Sequence, residues 1–165
     1  NWDRRFLEAF VRPGSDQLNW TDRSNYVAVG VVPTGPLEIS VYVLQHFRLP
    51  SIHLRRGVLR TDGFVSVNAS YRGGELITRP LIFQGKNLVM NYSTSAAGGV
   101  RVEIQDAEGN PMPGFTLVTA VDHYGDSIDQ VVSWDSGSDV SSLEGIPVRL
   151  RFLIKDADLY SIRFE

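Results

Sequence analysis

The chain has 165 residues, enough for one ordinary domain with a sizeable core or for a small domain carrying an extra element at one end. Apolar residues make up 42% and charged residues 21%, which excludes a disordered chain, and no apolar run nears the ~20 residues of a membrane helix. A net charge of −3 from interspersed acids and bases leaves no basic stripe for nucleic acid, and the absence of cysteine removes disulfides, thiolate nucleophiles and cysteine-held metal sites.

The opening NWDRRFLEAF has neither a starting Met nor the apolar core of a signal peptide, so it reads as a cut or processed end. RRFLEAFVRPG is expected to form a short helix or strand that stops at Pro13-Gly14. Three runs rich in Val, Ile, Leu and Tyr follow at 26–32, 37–47 and 52–59, separated by Pro33-Thr34-Gly35-Pro36 and by Pro50-Ser51. In the middle run Ile39, Val41 and Val43 alternate with Glu38, Ser40, Tyr42 and Leu44, the period of two that a half-buried strand requires. These runs predict a three-stranded antiparallel meander over residues 1–60.

From Phe64 the rhythm changes to short strands separated by turn residues, expected at 64–68, 75–78, 80–84, 87–92, 99–105, 114–118, 129–134, 147–154 and 159–164. Turns every 8–12 residues or so are the signature of a β-sandwich, here residues 61–165. Val100, Val102 and Ile104 face one way, with Arg101, Glu103 and Gln105 opposite, and DAEGN (106–110) makes the turn of a hairpin. Val148, Leu150, Phe152 and Ile154 repeat that alternation. Lys155–Asp158 then has the composition of a final hairpin loop, with Tyr160 on the closing strand.

The familiar catalytic signatures are absent: no Gly-x-Ser-x-Gly, no phosphate-binding glycine loop, no His-Glu-x-x-His. His46, His53 and His123 lack metal-ligand spacing, although His46 and His53 could face each other across a turn. DAEGN alternates oxygen ligands but lacks the spacing and late Glu of a calcium loop. No cofactor is therefore expected, which leaves room for a structural calcium on scattered Asp and carbonyl oxygens. Two clusters combine rings with hydrogen-bonding groups in the way a sugar is bound, where an aromatic face stacks on the ring and carboxylates accept hydroxyl hydrogens. One is Trp20, Asp22, Arg23 and Tyr26; the other is Asp122, His123, Tyr124 and Asp126. Each also reads as an ordinary loop. A binding surface should expose at least one of Trp20, Tyr26, Tyr71, Tyr124, Trp134 and Tyr160.

LRTDGF (59–64) and the closing LRF and KDADLYSIRF (150–164) resemble the C-terminal portion of glycosyl-hydrolase-like proteins of the invertase or inulinase type, a five-bladed β-propeller followed by a β-sandwich. The resemblance implies an all-β fold: a last propeller blade over 1–60 leading into a jelly-roll-like antiparallel sandwich over 61–165. It also implies an extracellular or periplasmic location. In that family an Asp nucleophile, an Arg-Asp-Pro motif and a Glu-Cys motif in the propeller carry catalysis. None has a counterpart here, so no catalytic residue is carried over. The expected function is a non-catalytic carbohydrate-binding or ancillary module. The alternatives are a glycoside hydrolase acting on oligosaccharides and an assembly fragment that forms homo-oligomers through its exposed blade.

Overall fold

The structure, a computed structural model, describes residues 7–20 and 25–165. The fold is all-β: strands and short 3-10 turns are present, with no α-helix among the described residues. No helix among them is long and apolar enough to cross a membrane. The chain forms two compact units, Asn1–Thr61 and Asp62–Glu165.

In the first unit β1 (Tyr26–Val27), β2 (Val32–Gly35), β3 (Glu38–Gln45) and β4 (His53–Arg60) form one antiparallel sheet. β3 pairs with β4 from Glu38↔Arg60 to Gln45↔His53, and β1 and β2 divide its other edge. The run 26–32, expected as one strand, is thus broken; Gly30 takes a left-handed φ of 101° where the chain leaves the ladder. Pro33-Thr34-Gly35, expected in a turn, belongs instead to β2, and the turn is made by Pro36-Leu37. Pro33 is tolerated because β2 is an edge strand, where one missing N–H breaks no ladder on its outer side. Residues 7–14 are irregular rather than helix or strand.

Val41 and Val43 are buried as their alternation requires, but Ser40 on the opposite face is buried too. Its hydroxyl explains this: Ser40 Oγ lies 2.7 Å from Thr34 Oγ1 and accepts from Arg56 Nε at 2.8 Å, while Arg56 also reaches Glu38. A polar patch thus fixes the β2–β3–β4 register where no apolar layer does.

The second unit is built on two long strands. β7 (Leu88–Asp106) pairs antiparallel with β9 (Val148–Phe164) from Leu88↔Phe164 to Asp106↔Val148. β8 (Asp126–Val131) extends the sheet beyond β7, and β5 (Val67–Ala69) and β6 (Gly74–Ile77) pair with the other edge of β9. Strands expected at 80–84 and 114–118 do not form. Leu81 makes only an isolated bridge to Val148, and Phe115 contributes its carbonyl to Ile104 N–H. Pro80, Pro111 and Pro113 cannot donate to a ladder, which leaves these segments as irregular cover.

The most instructive difference concerns Lys155–Asp158, which is not a hairpin loop. It lies in mid-strand, where Asp156 at φ 43° forms a bulge. The core positions reveal the phase shift: Val148, Leu150, Phe152 and Ile154 are buried on even numbers, Ala157 and Leu159 on odd ones, and Ile162 and Phe164 pack on even ones again. Each bulge inserts a residue and restores the inward face after it. Asp158 is held in place by Ser66 Oγ and Asn68 Nδ2, which donate to its Oδ1 at 2.6 and 3.0 Å.

The core gathers Leu88, Met90, Tyr92, Val100, Val102 and Ile104 of β7 with Leu150, Phe152 and Ile154 of β9 and with Trp134. Burying each large side chain contributes roughly 1.5–3 kcal/mol. Glu103 faces away from this core yet is also buried, under the segment that follows the 106–110 turn. Its Oε2 accepts from Leu117 N–H at 3.0 Å, and its Oε1 from Gln105 Nε2 at 2.8 Å and Arg151 Nη1 at 3.2 Å; Arg151 in turn clasps Glu75 through two bonds of 3.0 Å. Burial pushes the Glu103 carboxyl up, but these three bonds outweigh it and hold it below the ordinary range. Burial also holds the His123 imidazole below its usual value, against the upward pull of Asp122.

Both shifts have the same sign, because the folded state binds each proton less readily than the unfolded chain does. The urea midpoint should therefore fall in two stages with acidification, below about pH 6.5 and again below about pH 4.3, the unfolded imidazole and carboxyl values. Each contribution is gone once the pH passes the depressed folded value. His123→Gln should remove the upper stage; a midpoint flat from neutrality to about pH 4.5 would contradict the His123 assignment, and one flat from there to about pH 2 would contradict the Glu103 assignment.

Candidate functional site

The bulge of β7 shapes a cleft on the second unit that charged side chains line. Thr94 pairs with Ala157 and Gly99 with Lys155, so residues 95–98 stand opposite Asp156 alone. The glycine pair makes the close approach possible. A Cβ on Gly98 would lie 2.4 Å from Asp156 O and 2.7 Å from Lys155 O, and one on Gly99 would lie 2.3 Å from Asp122 Oδ1. The Asp122 carboxylate therefore occupies the space that a side chain at residue 99 would take.

Gly99 pairs with Lys155 and Arg101 with Leu153, and these residues alternate with the buried Val100, Val102, Phe152 and Ile154. Their side chains consequently share the outer face of the sheet. With Ala97, Gly98 and Asp122 they line a cleft of about 160 Å³. Among the described residues, no ion pair or side-chain hydrogen bond engages Asp122, Arg101 or Lys155. Beside the cleft, Lys155 Nζ sits 4.4 Å from the centre of the Tyr71 ring, a cation–π contact that leaves Tyr71 63% exposed. The Tyr71 turn is anchored by Asp156 N–H and Gly73 N–H, which both donate to Ser70 O.

The expected cluster Asp122, His123, Tyr124 and Asp126 divides by role. Asp122 enters the cleft, and Tyr124 is 77% exposed on a loop tied down by Tyr92 Oη donating to Tyr124 O at 2.8 Å and by Gly125 N–H donating to Thr94 Oγ1 at 2.9 Å. His123 is buried: its backbone pairs with Val100, and its Nε2 accepts from Ser133 N–H at 3.4 Å. Burial foremost, and then the nearby Asp126 carboxylate, push the Tyr92 phenol up. Asp126 opens β8 opposite Ser93.

The other expected cluster belongs to the first unit. Trp20 is exposed, with Nε1 donating to Gly14 O at 3.2 Å, and the exposed Tyr26 ring lies 4.6 Å from Phe47. Asp22 and Arg23 lie outside the described residues. Trp134 belongs to the core, where its Nε1 donates to Val102 O at 2.9 Å and its ring meets Phe115 edge-on. Tyr160 is half-buried at the second bulge of β9.

The DAEGN segment is a turn closed on itself. Asp106 accepts from the Asn110 amide side chain at 2.9 Å and from the Asn110 and Glu108 backbone N–H groups at 2.8 and 3.0 Å. The Asn110 side chain foremost holds its carboxyl below the ordinary range. No group of three or more metal-ligating side chains occurs among the described residues.

Sequence reasoning missed Arg101, Lys155 and the glycine pair as parts of one site. Gly98-Gly99 was the available signal, since paired glycines between strand-like runs mark a close approach of backbones. Comparison with protein-family models, with curated proteins and with solved structures finds no match in any of the three.

Gly98→Ala should destabilise the second unit by about 1–3 kcal/mol, because the new methyl meets backbone oxygens that cannot rotate away. Gly99→Ala should cost less, since it displaces one carboxylate. Urea denaturation of both variants measures the difference, and equal losses would mean that the Asp122 contact is as rigid as the backbone one.

Proposed function

We propose that the second unit is a carbohydrate-binding or ancillary β-sandwich module of a glycoside-hydrolase-like protein. The observation that carries this reading is the cleft itself: one carboxylate and two cations that, among the described residues, make no ion pair or side-chain hydrogen bond, beside an exposed ring on which Lys155 rests. Asp122 suits hydroxyl donors, Arg101 and Lys155 suit hydroxyl and ring oxygens, and Tyr71 offers an apolar face to sugar C–H groups. Glycosidic cleavage uses two carboxyl groups. Among the described residues the cleft lining includes one, Asp122, so binding fits it better than hydrolysis.

A glycan array on the purified chain, followed by affinity electrophoresis on the hits, tests this reading. Tyr71→Ala and Asp122→Asn should each weaken retention about tenfold, equivalent to ~1.4 kcal/mol, while Tyr26→Ala leaves it unchanged. Retention on no glycan at all would remove the proposal.

One observation favours a second reading, assembly through the first unit. Val41 and Val43 are its only buried apolar residues among those described, whereas Val27, Val32, Leu54 and Val58 of the same sheet are exposed. A sheet so thinly covered gains from apolar contact with another copy. Light scattering should then show a dimer or larger species at micromolar concentration that Leu54→Lys with Val58→Lys returns to monomer; a wild-type monomer would rule this reading out.

A further inference from the structure

The first unit brings Asp16 to His46, thirty residues on, and His46 to Ser51, five residues further. Asp16 precedes a 3-10 turn (Gln17–Asn19), and its Oδ1 accepts from Leu18 N–H at 3.0 Å. Its other oxygen, Oδ2, lies 2.8 Å from His46 Nε2. The second ring nitrogen, His46 Nδ1, lies 2.9 Å from Ser51 Oγ.

The imidazole is held from several sides. His46 leaves β3 at a left-handed φ of 54°, its N–H donates to Oδ1 of the buried Asn19 at 3.0 Å, and the His53 ring meets it edge-on at 4.8 Å. Arg48, two residues on, is also left-handed at φ 63°. Such conformations are unfavourable for a non-glycine residue and persist only where the surroundings enforce them.

A staple between two loops would need one bond from the ring, but here both nitrogens are engaged, and their roles are set by chemistry. The ionised carboxylate can only accept, so Nε2 carries the proton and donates to Asp16. In the neutral imidazole Nδ1 then has a free lone pair, and the Ser51 hydroxyl is the donor toward it. The hydroxyl proton of an exposed serine thus points into a largely buried base whose tautomer is fixed by a third group, the arrangement that activates a nucleophile.

We propose that Asp16, His46 and Ser51 form a nucleophile relay that acts on carboxylic esters with a good leaving group. Ser51 Oγ bonds to the ester carbonyl carbon as its proton passes to His46 Nδ1. The bond to the leaving oxygen breaks, and that oxygen takes the proton from His46. Water repeats the sequence on the acyl-serine, releasing the acid and restoring Ser51. Asp16 is a positioning residue that holds the tautomer and stabilises the transient imidazolium. Ile52 N–H, next to the nucleophile, is already donated to Leu49 O. That N–H is not available to a developing oxyanion, which favours activated esters over amides and sets a modest rate.

The test uses the full chain with a fluorophosphonate probe, mapped by mass spectrometry, and 4-nitrophenyl acetate hydrolysis. The expected results are a single label on Ser51, loss of label and turnover in Ser51→Ala, and at least roughly a tenfold loss of both in His46→Gln. Asp16→Asn should lower kcat by roughly tenfold or more with KM within about twofold, a split that a purely structural bond would not produce. Circular dichroism checks each variant; if His46→Gln loses its β spectrum, Ser51→Ala and Asp16→Asn decide. Labelling elsewhere, or hydrolysis unchanged in Ser51→Ala or Asp16→Asn, overturns the proposal.

Discussion

The antiparallel pairing of Leu88–Asp106 with Val148–Phe164 is the constraint on which the second unit depends. Strands this long cannot stay straight, because the right-handed twist accumulates along them and would carry the apolar face away from a single core. Bulges resolve the conflict. At Tyr160, and where residues 95–98 pass Asp156, the ladder slips, and after each slip the inward face is restored. One continuous pair of strands can thereby supply a core that the sequence distributes over several apparent short strands.

The same irregularity creates the site. Four residues of β7 must pass one residue of β9, and the passage is possible only because residues 98 and 99 have no side chains. The room beside Gly99 is taken by Asp122, and the phase of the ladder sets Arg101 and Lys155 on the same outer face. A bulge commonly re-aims side chains near functional sites, and here it sets a carboxylate and two cations around one small cleft without letting them neutralise one another.

The first unit uses a different physics. With so few buried apolar residues, its geometry rests on polar bonds: the Thr34, Ser40, Arg56 and Glu38 group across β2–β4, and the Asp16, Asn19, His46 and Ser51 group at the β3–β4 turn. Exposed ion pairs contribute little stability individually, but directional bonds specify position well. A region organised in this way can hold reactive groups at defined distances while remaining weakly packed.

Period-two alternation in the sequence was sufficient to determine the all-β class and which side chains face the core, as Val100, Val102, Ile104, Leu150 and Phe152 illustrate, because face selection is a local consequence of strand geometry. Local chemistry likewise determined the Asp106–Asn110 turn, whose bonds all lie within five residues. Only the tertiary structure decided that Lys155–Asp158 continues a strand. Asp156 and Asp158 are turn formers by propensity, yet the ladder to β7 and the core contacts of Ala157 and Leu159 outweigh that preference. The sites belong to the same class of non-local facts. Asp122 reaches Gly99, and Asp16 reaches His46, because strand pairing closes the long loops between them, and no pattern within either segment encodes that meeting.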